Sequence, residues 1–294
     1  MRKPRPAMRV SRQFIPYLFL APALLLLIVF NLVPTIATLV ESTFVLSLRS
    51  GERVFAGFAN YNRIFNDPVF WKSFQVTIVF SLLVNPIQIF LALCLSILIN
   101  QKLPGIGLFR SIYLLPIAVS LNVTAIVWGL MLDQNSGMIN GILTQWGIAR
   151  QPFLHSVDQA LWSIIVIASW IGVPLWSLFI LAGLQNIPPP VLEAAKIDGA
   201  SAWQSFTKIT LPLLRRVLAF VLVADTVANF LMFAPILLLT NGGPQLSTNL
   251  IMYETYRRGF LYGDLGASSA MLSVMLVIVF IIIGVELYLL RGQD

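Results

Sequence analysis

Side chains able to do acid–base, nucleophilic or metal chemistry are scarce in this 294-residue chain, which has one histidine, His155, and one cysteine, Cys94. Two such residues far apart in sequence make neither a disulfide framework nor a His/Cys metal cluster. A serine nucleophile would have to borrow His155 as its base, from a segment between two apolar runs. His155 therefore reads as a solvated loop residue and Cys94 as apolar filler. No GxxxxGK[ST] phosphate-binding loop occurs, so the chain cannot hydrolyse ATP through one. The remaining candidates are polar groups standing in apolar sequence, where they are costly. Asp225 and Asn229 lie one helical turn apart, with Met232 continuing that face. Asn85 and Gln88 flank Pro86, Asn122 and Thr124 precede Trp128, and Trp170 and Trp176 bracket Gly172 and Pro174. An acid so placed faces a wet path or a partner helix, and each of the others can serve equally as an interhelical hydrogen bond.

The elements that must position these groups are membrane spans. The chain is 58% hydrophobic and 11% charged, so a soluble domain with a polar skin is hard to build from it. Windows 17–39, 74–98, 112–132, 161–184, 217–240 and 267–290 each meet the roughly 20 residues needed to cross a hydrocarbon core. The first four hold no Asp, Glu, Lys or Arg; the fifth holds Asp225 and the sixth Glu286. Prolines 22, 34, 86, 116, 174 and 235 fall inside them, which membrane helices tolerate, and all six are read as kinked helices of one all-α membrane domain spanning residues 1–294. The first run is too long for a signal peptide and lacks a cleavage site.

With the N-terminus inside, the cytoplasmic segments carry 12 of the 19 Lys and Arg residues, most densely in the acid-free N-terminal tail. Both termini are therefore placed in the cytoplasm. The net charge of +7 is a topology signal rather than a nucleic-acid surface, because the cations are scattered at span ends. The external connections 40–73, 133–160 and 241–266 are long and rich in Gly, Asn, Asp and aromatics. In the first, NYNRIF and NDPVFWKSF suggest short interfacial helices, with Phe70, Trp71 and Phe74 at headgroup depth. Arg257 and Arg258 on the third read as a solvated pair, with contact to a soluble partner or to an anionic substrate as the other options. Glu286 sits close enough to one end to reach the interface or Arg291.

One internal connection, 185–216, has room for structure of its own. Prolines 188–190 end one helix and start another, VLEAAKID is helix-compatible, and Gly199 breaks it. Ser201 with Gln204 matches a capping box opening a second helix over 202–210, in which Ala202, Phe206 and Ile209 share an apolar face and Pro212 marks the entry to the fifth span. An amphipathic surface segment would look similar. A docking element needs these same parts: rigid helix ends, a glycine pivot and a few exposed charges.

At this element the sequence resembles a known family. Glu193-Ala194-Ala195, then Gly199, then Ile209-Thr210-Leu211-Pro212 is the signature of membrane subunits of bacterial binding-protein-dependent ABC importers, with every spacing met. GFANYNRIFNDPVFW, FRSIYLLPIAVS, LAGLQNIPPPVLEAAKIDGA and LTNGGPQLSTNLIMYETYRRGF resemble the carbohydrate-uptake branch, that is, the first permease subunit of maltose and glycerol-phosphate importers, over most of the chain from Leu18 onward. Phe233-Ala234 departs from the Phe-Asp frequent in that branch.

The resemblance implies a type I importer transmembrane fold in the bacterial cytoplasmic membrane, without a cofactor on this chain. It implies a second homologous permease, two ATPase subunits holding ATP and Mg, an extracytoplasmic solute-binding protein and a sugar-type substrate, with no nucleic-acid partner. Glu193, Ala194, Ala195, Asp198, Gly199, Ala200, Phe206, Leu211 and Pro212 would form the coupling element, with Glu193 pairing with a basic residue of the ATPase. Aromatic faces with hydrogen-bonding groups suit a sugar path, and Asp225, Asn229, Asn85, Gln88, Asn122, Trp170 and Trp176 are its candidates. A glycerol-phosphate importer is the near alternative. An ion-coupled secondary transporter is the distant one, disfavoured by the lack of internal repeats and of charged pairs at midplane.

Overall fold

The computed structural model describes residues 15–46, 51–101 and 103–291. Arg2, Lys3, Arg5, Arg9, Arg12 and Lys102, on which part of the charge count rests, lie outside the described residues. Helix α1 runs unbroken through Ile15–Leu27, a π-helical turn Ile28–Leu32 and Val33–Glu41. A small hairpin follows, β1 (Phe44–Leu46) against β2 (Arg53–Phe55), with Val45 opposite Val54. After the short α2 (Ala59–Phe65), Asp67 accepts a hydrogen bond from the Val69 amide and Pro68 takes the first helical position of α3 (Pro68–Ile99). The NDPVFWKSF stretch is thus not a separate interfacial helix but the capped start of the second span. Trp71 and Phe74 keep some exposure, whereas Phe70 is buried beside Ile64.

The third window is a broken helix. It divides into α4 (Ile106–Ala118) and α5 (Leu121–Met131), bent by 100°. Pro116 weakens the end of the first, Val119 is extended, and the Ser120 side chain caps the second by accepting from the Val123 amide. Hydropathy cannot see such a break because both halves are apolar.

Beyond α6 (Met138–Gln145), α7 (Ala160–Gln185) passes through Pro174 without interruption, and Ser177 donates its hydroxyl to the Pro174 carbonyl. Helix α8 is Pro189–Ile197. Helix α9 then runs continuously through Ala202–Ser205, a π-helical turn Phe206–Thr210 and Leu211–Phe230. The expectation of a separate 202–210 helix is therefore corrected: Pro212 follows a widened turn in the ladder and does not stop the helix. The fifth window is corrected as well. Its helix ends at Phe230, and Pro235 leads into a separate π-helical turn, Ile236–Thr240. Helix α10 (Ile251–Tyr256, continued by the turn Arg257–Leu261) and α11 (Leu265–Arg291) complete the chain. Helices α3, α7, α11 and the stretch Phe19–Glu41 of α1 are each long and apolar enough to cross a membrane, and the bent α4–α5 pair together makes a fifth candidate.

Packing sets the directions. Val76, Phe80 and Val84 of α3 share a core with Ile164, Ile167 and Ala168 of α7, and further along Ala92 shares one with Trp176 and Ile180, so these helices run parallel. Gly183 of α7 faces Leu214 of α9, while Trp176 meets Asp225, so α9 runs antiparallel to both. The 185–216 segment consequently lies at the α3 C-terminal end of the bundle, opposite the 44–67 and 241–264 segments.

Candidate functional site

The polar residues of the spans converge where α3, α7, α9 and α11 meet. Trp176 Nε1 donates to Asp225 Oδ1 at 2.7 Å, and Asn229 Nδ2 donates to the same oxygen at 2.9 Å. Asn229 also donates to Asn85 Oδ1 at 2.8 Å. Asn85 Nδ2 donates in turn to Thr226 Oγ1 at 2.9 Å, and that hydroxyl donates to Glu286 Oε1 at 2.9 Å. Asp225, Thr226, Asn229 and Asn85 are all buried, with Asp225 only 1% exposed. The chain of donors and acceptors is internally consistent, but Asp225 Oδ2 and Glu286 Oε2 have no hydrogen-bond partner among the described residues. Gln88, also buried, lies one turn along α3 against Gly172. A Cβ on Gly172 would sit 2.5 Å from Gln88 Oε1, so a larger residue there would have to displace the Gln88 amide.

Four of the seven path candidates, Asp225, Asn229, Asn85 and Trp176, thus form one junction, and Gln88 adjoins it. Trp170 does not join it. Its ring meets Trp128 edge-on, with centroids 6.1 Å apart at 74°, and the pair borders a 220 Å³ cavity that also contains Thr124. Asn122 is exposed in the first turn of α5, apart from both groups. Thr226 and Glu286 were missing from the candidates. One Glu286 carboxylate oxygen turns inward to Thr226 rather than out to the interface, while the expected contact with the Arg291 side chain lies outside the described residues. An acid in the sixth apolar window was the available signal.

At the far end of α9, α8 closes in a glycine C-cap. Gly199 has φ +79°, its amide donates to the Lys196 carbonyl and the Ala200 amide to the Ala195 carbonyl. Ser201 and Gln204 form the reciprocal capping box, at 2.8 and 3.3 Å. Glu193, Ala194, Asp198 and Gly199 are exposed, Ala195 is buried, and Ala200, Phe206 and Leu211 are half-buried, with Pro212 exposed. Two apolar side chains absent from the expected set also stand free here, Ile197 at 86% and Trp203 at 71% exposure.

The arginines of the opposite end are paired, which corrects the reading of Arg257 and Arg258 as solvated. Glu254, fully buried, accepts from Arg257 at 2.5 Å and from Arg258 at 2.9 Å, and Arg258 also contacts Asp67. Burial works against the Arg258 charge, but hydrogen bonds to Glu254 and Asp67 outweigh it and hold its pKa above the usual value. Asn249 donates to Ser73 at 2.7 Å and the Ile251 amide to Thr77 at 2.8 Å, stitching the 241–261 segment to α3. On the neighbouring loop, the Ser136 amide and hydroxyl and the Asn135 amide keep the Asp133 carboxyl below its ordinary range.

Residues 12–292 match the family of binding-protein-dependent transport system inner membrane components. The chain belongs to that family. This permease is 34% identical over 268 residues to the sn-glycerol-3-phosphate transport system permease protein UgpA of Agrobacterium fabrum, covering 91% of each. It is 35% identical over 275 residues to the trehalose/maltose transport system permease protein MalF of Thermococcus litoralis, again covering 91% of each. A bacterial ABC transporter involved in import of the acidic polysaccharide alginate has a chain of the same fold, with TM-score 0.84 over 96% of the permease and 97% of that chain, at 22% identity. The permease has the type I importer architecture expected of it, and its relatives are transport subunits rather than enzymes.

Proposed function

We propose that this chain is one permease of an ATP-driven sugar importer, residues 1–294 forming a single domain that pairs with a second permease, two ATPase subunits and an extracytoplasmic binding protein. Both termini and the 185–216 element face the cytoplasm, and ATP with Mg resides on the ATPase subunits. The observation that carries the reading is the continuity of α9. From the capping box after Gly199 to Phe230 there is no loop, so a displacement at Trp203 travels along a rod of about 40 Å that bears Asp225, Thr226 and Asn229. The exposed Glu193, Ile197 and Trp203 offer a charge and two apolar knobs to an ATPase groove. Rigid-body motion of that rod against α3, α7 and α11 would rearrange the buried junction, the mechanical content of alternating access. The candidate sugar contacts are Asp225, Asn229, Asn85, Gln88, Trp176 and Trp170, with Asn122 set apart from them.

The test is to tag the chain, extract membranes in mild detergent and identify co-purifying proteins by mass spectrometry. Recovery of an ATPase and a second permease is the expected result. Isolation of this chain alone, under conditions that keep a known importer intact, would defeat the reading.

A further inference from the structure

We infer that helix α6 lies in the plane of the membrane surface at the end of the bundle opposite the 185–216 element, with Met138, Ile142 and Trp146 sunk at the boundary of headgroups and acyl chains and Arg150 against lipid phosphate. The inference needs only the membrane bundle and holds whatever the solute. Residues 134–149 contain no Asp, Glu, Lys or Arg, although they belong to a connection between spans. Within them, α6 carries apolar side chains at i, i+4 and i+8, and Met138, Ile142 and Trp146 are all exposed, Trp146 to 75%. Trp146 stands one residue past the end of α6, but its amide donates to the Ile142 carbonyl at 3.2 Å and it stays on that face. Gly147, at φ +76°, then closes the helix, with the Ile148 amide donating to the Leu143 carbonyl at 2.9 Å.

The other face fixes the roll of the helix. Asn140, 1% exposed, donates to the Gln151 carbonyl at 2.9 Å and accepts from the Gln151 amide at 2.8 Å, with longer bonds to the Asp133 and Gln134 carbonyls. Two residues along a helix make a rotation of about 200°, so holding Asn140 inward turns Met138 and Ile142 outward. The depth is set by Ile139, which borders a 330 Å³ cavity with Trp128 of α5 and with Trp162 and Val166 of α7. Trp162 and Val166 lie in the first two turns of a span and are themselves exposed, so α6 sits level with the start of α7 and its bare stripe continues the outer surface of that helix.

Charge and aromatic placement favour lipid over protein as the occupant. Arg150, exposed and without an ion pair among the described residues, follows the stripe directly, and its long side chain can hold the guanidinium among phosphates while the apolar groups go deeper. At the same end, the first turns of α3 and α7 expose Trp71, Lys72 and Trp162, the mixture of indoles and cation that marks a headgroup boundary. A soluble protein docking on the tip of the bundle would meet residues farther out than these, not a stripe level with Trp162 and Val166.

The experiment is nitroxide scanning by electron paramagnetic resonance on the tagged permease in a Cys94→Ala background, reconstituted with its co-purifying partners into vesicles of phosphatidylcholine and phosphatidylglycerol. Collisions with oxygen, which concentrates in lipid, and with a nickel chelate, which stays in water, are compared for labels at Met138→Cys, Ile142→Cys, Thr144→Cys and Arg150→Cys. Thr144 is exposed on the face opposite Ile142, so the pair separates the two sides of one helix. The oxygen-to-nickel ratio at Met138 and Ile142 should exceed that at Thr144 by at least about threefold, with Arg150 between them. Equal nickel access at Ile142 and Thr144 would place α6 in water, and shielding of Met138 and Ile142 from both reagents would mean that a partner protein covers the stripe. Either result overturns the inference. A fully aqueous label at Arg150 overturns its pairing with lipid phosphate.

Discussion

Trp176 on α7 and Asp225 on α9 are joined by an indole-to-carboxylate hydrogen bond of 2.7 Å, in a part of the bundle where Asp225 is 1% exposed. They are 49 residues apart in sequence and lie on antiparallel helices. The bond ties the rod that leaves the 185–216 element to the helix that enters it, and the same carboxylate oxygen takes a second bond from Asn229.

Trp176→Phe removes the donor and keeps most of the ring volume. Asp225 then retains Asn229 alone, and the permease should lose about 1–3 kcal/mol of stability, read as a lower unfolding midpoint in detergent. Asp225→Asn, which keeps an acceptor for both donors, should cost less. Equal midpoints for wild type and Trp176→Phe would mean that the bond adds nothing over the unfolded chain's own partners in the membrane.

Glu193→Ala should abolish uptake while the chain inserts at normal levels and keeps its unfolding midpoint, because Glu193 is exposed and its truncation opens no cavity. Western blotting with a transport assay separates the two effects. Normal uptake at normal protein levels would remove Glu193 from the coupling role.

Gly199 stands at φ +79° with open space around its Cα, so substitution there strains the backbone without a clash. Gly199→Ala should cost about 1 kcal/mol and reduce uptake, and Gly199→Asn should be the better tolerated because asparagine enters the left-handed region more readily. If Ala and Asn behave alike, the turn's handedness is not what matters at this pivot.

Arg258→Ala leaves the buried Glu254 with Arg257 and Asn249 and strips Asp67 of its cation. Loss of one partner from a buried ion pair should cost about 3 kcal/mol, with proteolysis at 241–264 reporting the release. The pKa of Arg258 is raised, so its stabilisation is present at all pH values below the usual arginine range and is lost only above it. The cleavage pattern of the wild-type segment should therefore stay constant from about pH 6 to 9. A pH-dependent opening in that range would point to another titrating group.

Much of this was legible in the chain itself. Apolar runs of about 20 residues announce helices α1, α3, α7 and α11, since hydrocarbon leaves the backbone no other way to satisfy its hydrogen bonds. The Ser201–Gln204 capping box and the Gly199 stop were equally readable, because caps are local and their residues are neighbours. The 100° bend at Val119–Ser120 and the helix end at Phe230 were not, since an apolar run looks the same whether or not it breaks. Nor could local sequence show that Pro212 would be carried inside α9 by a π-helical turn.

The sequence by itself determined which residues are expensive in a membrane, and hence that Asp225, Asn229, Asn85 and Glu286 must find partners or water. Only the tertiary structure decided which. Helix faces separated by 49, 60 and 144 residues came together at one junction, while Trp170 and Asn122 were turned away from it. It likewise converted Arg257 and Arg258 from apparent free charges into the clamp on Glu254. The physical reason is the same in each case: the cost of burying a polar group is a property of the residue, but its compensation depends on what the packing of other helices brings within about 3 Å.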